Sequence, residues 1–258
     1  MFRKVALFLI IMFFVVSGCT KDLNKTDLYK SIINKDKLTV GIAFDAKPFS
    51  FKDLNGQVKG VEADIAREIA KRILGSEKKI SFKHVTPKDR IKSVNSGDVD
   101  MVISTMTITP ERKKLVEFSK PYFVAGQAIC VKKSSNIDSY HDLINKNVIV
   151  ILGTTGENNL RSLVPNAFIQ GYINNSDAFK AFKMSGNDAI STDDSLLFGL
   201  VLENNNYKLL PVRLSKEPYG IAFKKSKDAV PLKKEVNKIL NDMKEDGSLE
   251  TIKENWGI

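Results

Sequence analysis

Two segments of this sequence end in side chains that can bind opposite charges. The first is ISTMTITPER, residues 103–112, where alternating apolar and threonine residues lead into Thr-Pro-Glu-Arg. Thr109 suits a helix N-cap and Pro110 the first helical position, so the pattern predicts a helix that begins at Pro110. Arg112 then lies in the first turn, where its guanidinium can bind a carboxylate through two parallel bonds, and Thr107 adds a donor. The alternative interpretation is a capped helix with Arg112 on its surface.

The second segment is STDDSLL, residues 191–197, in which two aspartates follow a predicted strand. One of them is expected to cap the following helix, and Asp194 is better placed to do so. Asp193 is then left to meet a cation. A carboxylate site in one segment and an ammonium site in the other together indicate a free α-amino acid as ligand.

A further anion site is predicted in LGTTG, residues 152–156, where an apolar strand runs into a glycine-rich turn before a helix. Glycine allows close approach of the backbone, and Thr154 and Thr155 offer donors at the helix N-terminus. The Gly-Lys-Ser/Thr ending of a phosphate-binding loop is absent, so a nucleotide site is not indicated.

The elements that position these residues alternate between strand-like and helix-like patterns. One helix face is marked by Val61, Ile65, Ile69 and Ile73 at four-residue steps. Such alternation predicts α/β layers with largely parallel sheets. SGDVDMVIST, residues 96–105, returns as SGNDAIST, residues 185–192, each time between a predicted helix and a strand ending in Ser-Thr. This echo favours two lobes of related build, with both strand ends facing a shared cleft.

The N-terminus has the pattern of an export signal. Arg3 and Lys4 precede an apolar run from Val5 to Val16, which is too short for a comfortable membrane span, although a short membrane anchor is the alternative. VSGC, which ends at Cys19, resembles the lipobox of bacterial lipoproteins. That resemblance implies a signal peptide over residues 1–18 and a lipid on Cys19 that holds the protein at the outer face of the cytoplasmic membrane.

Composition and charge narrow the function classes. The 258 residues carry a net charge of +10. The lysines are scattered without an aromatic-basic stripe, so we expect no nucleic-acid partner. A solvated, lysine-rich surface is favoured, and attraction to an anionic membrane is the alternative. Cys130 lies in an apolar run and is expected to be a buried hydrophobe. We expect no metal and no cofactor.

The segments GVEADIAREIAKRI, SGDVDMVISTMTITPERKKLVEFSKPYF, VIVILGTT, DAISTDDSLLFG, EPYGIAFKK and LETIKENWGI together resemble family 3 of the bacterial solute-binding proteins, which serve ABC importers of polar amino acids. The resemblance implies an α/β fold of the periplasmic-binding-protein type II, with two lobes joined by two crossover strands. It places lobe 1 at residues 37–126 and 220–258, lobe 2 at 127–219, and a lipidated tether at 19–36. The implied crossovers are QAICVKK and EPYGIAFKK.

The resemblance also implies roles for individual residues. Thr107 and Arg112 would hold the ligand's α-carboxylate from lobe 1, and Thr155 would complete that site from lobe 2. Asp193 would pair with the ammonium group, and the backbone carbonyl of Thr105 would accept from it. The partners implied are a free amino acid and the transmembrane subunits of an ABC permease, and we expect a monomer.

Ligand selectivity depends on further side chains. Arg90 resembles an arginine that contacts acidic ligands in this family, and the alternative is an ordinary helix-surface charge. The aromatic residue that packs on the ligand is expected to be Phe44, with Phe49 and Phe51 as alternatives. On these grounds we expect glutamate or aspartate as ligand, and glutamine second.

Two other function classes are alternatives to a binding protein. Some proteins of this fold are cyclohexadienyl dehydratases, which need a positioned general acid or base in the cleft. His84 and His141 lie in segments away from the strand ends, which favours binding over catalysis. The sensor module of a signalling receptor is a third alternative, which a second membrane span would favour.

Overall fold

The computed structural model describes residues 27–184 and 186–258, with the backbone alone at Leu202 and Glu203. Its α-helices are α1 Leu28–Asn34, α2 Val61–Leu74, α3 Arg90–Ser96, α4 Pro110–Lys113, α5 Thr155–Leu163, α6 Asn175–Lys183, α7 Asp194–Glu203, α8 Val230–Glu245 and α9 Ser248–Asn255. Short 3-10 helices span Tyr140–Leu143 and Lys227–Ala229. No helix in these ranges is long and apolar enough to cross a membrane.

The strands are short, as expected for α/β layers. They are β1 Leu38–Ile42, β2 Asp45–Ala46, β3 Ser50–Lys52, β4 Val58–Lys59, β5 Ile80–His84, β6 Met101–Val102, β7 Val116–Phe118, β8 Phe123–Ala125, β9 Gln127–Lys132, β10 Asn147–Ile151, β11 Phe168–Tyr172, β12 Ala189–Asp193, β13 Tyr207–Leu209, β14 Glu217–Tyr219 and β15 Ala222–Lys224.

Two five-stranded sheets form the centres of two lobes. The lobe 1 sheet has the order β5-β1-β6-β15-β7, and the lobe 2 sheet has the order β11-β10-β12-β9-β13. In each sheet the first three strands are parallel, and the fourth runs antiparallel to its neighbours. The two sheets therefore share one topology, and the fold with two related α/β lobes is confirmed.

The sequence echo falls at equivalent places in the two sheets. SGDVDMVIST contains β6 and SGNDAIST leads into β12, and each of these strands is the central one of its sheet. The carboxyl end of a central parallel strand opens onto the crevice of an open α/β sheet. The repeated Ser-Thr endings consequently lie where a ligand site is expected.

The lobes are joined by an antiparallel pair of strands, β8 and β14, that belongs to neither large sheet. This corrects the expected crossovers. QAICVKK coincides with β9, which lies inside the lobe 2 sheet between β12 and β13. In EPYGIAFKK only the first three residues form a connecting strand, because Ala222–Lys224 pairs with β6 and β7 of lobe 1.

Apolar side chains cover both faces of each sheet. The largest cluster packs β1 of lobe 1 against α2 and α8, and a smaller one lies between the same sheet and α3. Two clusters cover the opposite faces of the lobe 2 sheet. In α2 the predicted apolar positions Val61, Ile65 and Ile69 are fully buried, and Ile73 is partly buried. Burial on both faces explains why an inner parallel strand such as β10 reads as a nearly continuous apolar run, whereas the edge strands β5 and β11 are partly exposed.

The part of the chain expected to be a tether contains a helix. Leu28–Asn34 forms α1, which is capped by Asp27 and buries Ile32 completely in the lobe 1 cluster near α8. A buried isoleucine stabilises this docking, and it is the physical reason that the packed chain begins ahead of residue 37. The signal peptide, Cys19 and the rest of the expected tether lie outside the described residues.

Candidate functional site

The residues predicted to bind ligand converge on one cavity between the lobes. Its walls are formed by Pro87, Arg90, Thr105, Thr107, Arg112, Ile151, Thr154, Thr155, Asn175, Thr192, Asp193 and Leu196. Every predicted ligand-binding residue except Phe44 is in this set. Lobe 1 supplies the residues up to Arg112 and lobe 2 the remainder, so the cavity depends on the approach of the two lobes.

Arg112 spans the gap between the lobes. The predicted helix start is confirmed, because Pro110 begins α4 and the Thr109 hydroxyl accepts a bond from the Arg112 N–H at 3.2 Å. The guanidinium donates from Nη1 to the Thr107 carbonyl at 2.9 Å and from Nη2 to the Gly153 carbonyl of lobe 2 at 3.2 Å. An arginine side chain has five N–H donors, so others are left for a ligand carboxylate. Burial lowers the pKa of Arg112, while Glu217 and Asp193 oppose this effect.

Thr155 is the first residue of α5 and reaches a residue that sequence reasoning did not assign. Its hydroxyl donates to Oε2 of Glu217 at 2.7 Å and lies 3.5 Å from the Thr107 hydroxyl. The Thr155 hydroxyl hydrogen is thus directed at Glu217, and its first-turn backbone N–H is the group suited to an anion. Glu217 is only 1% exposed. The EPYGI motif contained it, but nothing in its spacing connected it with residue 155.

Asp193 ends β12 and faces the cavity from lobe 2. The Tyr219 hydroxyl, on connecting strand β14, donates to its Oδ2 atom. Burial raises the pKa of the Asp193 carboxyl to about 7. The bond from Tyr219 acts against this shift, and the nearby Glu217 and Asp194 carboxylates add to it. A ligand cation at this position would be paired with a carboxylate that burial has made unusually basic.

Asp194 has a different role from the cap that was predicted. Asp193 occupies the N-cap position of α7, without a capping bond from its side chain, and Asp194 is the first helical residue. The Asp194 carboxylate accepts from the N–H groups of Gly126 and Ser195, at 3.1 and 2.8 Å, and from Nε of Arg213 at 2.8 Å. Asp194 is therefore occupied by protein donors, and Asp193 is the aspartate directed at the cavity.

Arg90 is buried, and its alternative as a surface charge is wrong. Only 2% of the residue is exposed, and Nη1 donates to the Ser104 carbonyl at 2.7 Å. Its Nε has no hydrogen-bond partner among the described residues. Burial, and then the nearby Arg112 cation, lower the pKa of Arg90 to about 9, whereas Glu62 raises it. An unpaired buried donor beside a cavity is available to a polar ligand group.

Phe44 is outside the cavity, contrary to expectation. Its ring stacks on His84 with centroids 4.9 Å apart, and the Lys52 ammonium lies 4.2 Å from the ring centroid. The alternatives are also used elsewhere, since Phe49 is fully buried in the lobe 1 core and Phe51 packs edge-on against Trp256. None of these three rings is among the residues that line the cavity. The part of the chain described here brings no aromatic ring into the cavity lining.

A larger groove at another part of the lobe boundary is mostly apolar. Its lining includes Phe179, Phe198 and Trp256 and none of the predicted ligand-binding residues. Asp45, Lys47 and Lys183 also line this groove, but its lining holds no arginine that could bind a carboxylate through two parallel bonds. The smaller cavity with Arg112 and Asp193 is therefore the candidate site.

The other reactive side chains lie away from the cavity. His84 packs on Phe44, and His141 contacts the ring of Tyr140 at 4.0 Å. Cys130 is fully buried in lobe 2, as predicted, and burial raises the pKa of its thiol to about 12. Neither histidine nor this thiol lines the cavity.

Comparisons with known proteins identify the family to which the chain is similar. The sequence model of the bacterial extracellular solute-binding proteins, family 3, matches residues 38–258. The chain is 43% identical over 235 residues to the ABC transporter glutamine-binding protein of Bacillus subtilis (strain 168), which covers 90% of this chain and 85% of the relative.

Two solved structures that resemble the chain are also of amino-acid-binding proteins. An ancestral arginine-binding protein bound to glutamine has a TM-score of 0.80 and 40% identity, covering 86% of this chain and 98% of its own. An ancestral amino acid-binding protein described as a precursor of cyclohexadienyl dehydratase has a TM-score of 0.81 and 38% identity, covering 88% and 98%. The two lobes and their paired connecting strands are the type II periplasmic-binding-protein fold.

Proposed function

The chain belongs to the bacterial extracellular solute-binding proteins, family 3, and on that premise we propose that it binds one free polar amino acid between its lobes and delivers it to an ABC permease. One observation carries the proposal: a guanidinium from lobe 1 and a carboxylate from lobe 2, Arg112 and Asp193, line one cavity. A zwitterionic amino acid presents the complementary charges, so its binding stabilises the closed arrangement of the lobes.

The proposed contacts follow from the donors that remain. Arg112 and the backbone N–H of Thr155 receive the α-carboxylate, with Thr107 beside them. Asp193 receives the ammonium group, together with the Thr105 carbonyl. Arg90 has a buried Nε–H to offer the ligand side chain.

For the ligand itself we propose glutamine ahead of glutamate or aspartate, which reverses the order expected from the sequence. The relative with 43% identity is named as a glutamine-binding protein, and the ancestral structure is bound to glutamine. The charge around Arg90 supports the same order, because Glu62 acts on Arg90 as an opposing charge. A neutral amide oxygen needs only a donor, whereas a second carboxylate would also face Glu62 and Asp193.

A thermal-shift screen against the twenty amino acids tests this proposal. A ligand that binds only the folded form raises the melting temperature, by an amount that grows with its concentration over Kd. We expect the largest shift with L-glutamine, followed by calorimetry to measure Kd. A larger shift with L-glutamate would favour glutamate over glutamine, as expected from the sequence. No shift with any amino acid would contradict the binding function.

We further propose that the protein is exported and held at the outer face of the cytoplasmic membrane by lipid on Cys19, as a monomer. The lipobox resemblance and the apolar run before it support this. Replacing Cys19 by Ser should move the protein from the membrane fraction to the medium or periplasm. Membrane association that persists in the variant would contradict lipid anchoring.

The protein is proposed to act without catalysis. The resemblance to a precursor of cyclohexadienyl dehydratase makes an enzyme the relevant alternative. That chemistry needs a general acid or base. The histidines lie outside the cavity, and Asp193, the acidic group that lines it, is assigned to the ligand ammonium group. Turnover of prephenate by the purified protein would overturn this part of the proposal.

A further inference from the structure

One peptide group at the edge of the cavity is held on both sides by buried ionisable residues. It is the peptide between Ser104 and Thr105. The Ser104 carbonyl accepts from Nη1 of Arg90 at 2.7 Å, and the Thr105 N–H donates to Oε1 of Glu62 at 2.5 Å. Glu62 is fully buried and Arg90 nearly so. Each end of the peptide dipole thus meets a residue of the opposite charge.

These two bonds hold a peptide group where the backbone conformation is unfavourable for threonine. Thr105 has φ of +39°, in the left-handed region, although it is β-branched. Such a conformation persists only when the surrounding contacts determine it, and it concentrates at ligand sites. Thr105 lines the cavity, so the direction of its backbone bears directly on the site.

Glu62 is brought to this position by the start of α2. The N–H groups of Val61 and Glu62 donate to the carbonyls of Pro48 and Phe49, at 3.1 and 2.8 Å. Gly60 makes this approach feasible, because it has φ of +119° and a Cβ there would lie 2.2 Å from the Phe49 oxygen. These bonds fix the start of α2 against the turn between β2 and β3. They place the side chain of Glu62, the second residue of the helix, beside the Thr105 N–H.

The remaining capacity of the Glu62 carboxylate is also used by donors. The Ser50 hydroxyl lies 3.0 Å from Oε2, and the Tyr122 hydroxyl donates to Oε1. Burial raises the pKa of Glu62, and the bonds from Tyr122, Thr105 and Ser50 counter that effect. The Thr105 N–H and the Tyr122 hydroxyl both point at Oε1, and the amide N–H can only donate, so residue 62 must present an acceptor oxygen there.

We propose that Glu62 is a positioning residue for ligand binding: with Arg90 it fixes the Ser104–Thr105 peptide in the left-handed turn and so sets the direction of the Thr105 carbonyl that receives the ligand ammonium. The inference rests on the proposed amino-acid function. Glu62 acts through the backbone and does not touch the ligand.

The test combines a change of Glu62 with a change of Thr105. Glu62→Leu removes both acceptor oxygens at a similar side-chain volume, and Thr105→Gly removes the steric cost of a positive φ. Calorimetry with L-glutamine is carried out on the wild type, both single variants and the double variant. Glu68→Leu is the matched control, since Glu68 lies on the same helix and pairs with Arg72 at 2.7 Å outside the cavity.

We expect Glu62→Leu to weaken L-glutamine binding about tenfold to a hundredfold, as for a lost buried bond to a charged group. The same change should cost at least about fivefold less in the Thr105→Gly background, because glycine adopts the turn without the bond from residue 62. Glu68→Leu should leave Kd unchanged. An equal loss in both backgrounds, or no loss at all, would overturn the positioning role even if the melting temperature falls.

A crystal structure of Glu62→Leu without ligand gives a readout independent of amino-acid binding. We expect Thr105 to leave the left-handed region. A φ that stays near its present value would overturn the proposal, whether or not any amino acid binds. Failure of the wild type to bind L-glutamine would instead count against the proposed ligand.

Discussion

The Thr155 hydroxyl donates to the Glu217 carboxylate at 2.7 Å, which ties the first turn of a lobe 2 helix to a connecting strand. The same strand is bound to lobe 1 through its backbone, because the Ile108 N–H donates to the Pro218 carbonyl and the Gly220 N–H to the Met106 carbonyl. Strand β14 therefore contacts the ligand-binding segments of both lobes. Changes in this strand are expected to act on binding through Thr155.

A double-mutant cycle tests that coupling. Glu217→Ala and Thr155→Val each remove one partner of the bond, and each should weaken amino-acid binding about tenfold. Because they break the same interaction, the double variant should bind about as well as the weaker single variant. Calorimetry measures the cycle, and strictly additive losses would show that the two residues act independently.

Asp193→Asn is expected to weaken ligand binding but to stabilise the fold at pH 8. The pKa of Asp193 is raised from 3.8 to about 7, so the folded protein holds this proton more tightly than the unfolded chain. Stability from this group is fully present below about pH 4 and is lost as pH rises to about 7. The asparagine variant should bind the amino acid at least about thirtyfold more weakly. It should also melt at a higher temperature than the wild type at pH 8, without ligand.

Ligand affinity of the wild type should depend on the same titration. Below about pH 7 the free protein carries a proton on Asp193 that an ammonium ligand must displace. Affinity should then fall by up to about tenfold for each unit of pH and level off above the pKa. The Asp193→Asn variant should lack this dependence, and an equal slope in both proteins would assign it to another group.

Tyr219→Phe should move the pH dependence of ligand affinity to higher pH. The Tyr219 hydroxyl stabilises the ionised carboxylate of Asp193, while its ring is fully buried against Phe49 and Phe123. Phenylalanine keeps the packing and loses the donor, so binding at pH 7 should weaken about tenfold. Tyr140→Phe, in a 3-10 helix away from the cavity, is the control. An unchanged pH profile would contradict the role assigned to Tyr219.

Arg112→Ala should remove the carboxylate site and a bridge between the lobes. A ligand carboxylate left unpaired costs about 2–5 kcal/mol, which is a loss of roughly thirtyfold to several thousandfold in affinity. Arg112→Lys keeps the charge without the planar guanidinium. Its ligand affinity should lie between those of the wild type and Arg112→Ala. Arg161→Ala, which removes a half-exposed pair with Glu157 on α5, is the control. Calorimetry that shows unchanged affinity for Arg112→Ala would refute the carboxylate clamp.

Much of this site could be predicted from local patterns. Thr109 and Pro110 have strong preferences for a helix start, and that start fixes where Arg112 lies. The echo that ends in Ser-Thr located both central strands, because helix, glycine and strand follow each other in a fixed order in each lobe. These predictions succeeded because they depend on neighbours in the sequence.

The predictions that failed depend on contacts between distant segments. The loop around Phe44 gave no indication that His84 would take its ring, since 40 residues of chain separate them. The motifs GVEADIAREIAKRI and EPYGIAFKK contain Glu62 and Glu217 but gave them no role, and only the folded structure brings them to Thr105 and Thr155. QAICVKK was assigned to a crossover because strand patterns do not state which sheet a strand joins.

Ala125 and Glu217 are paired residues in the two strands that join the lobes, so the chain leaves lobe 1 and returns to it at adjacent points. Lobe 2 is in effect an insertion into a continuous lobe 1. A gene that joins residue 125 to residue 217 through a tight turn would encode lobe 1 alone, with the order of its sheet retained. Such a miniature protein would carry Arg112, Thr107 and the Thr105 carbonyl without Thr155 and Asp193, so the contribution of the lobe 1 contacts could be measured by itself.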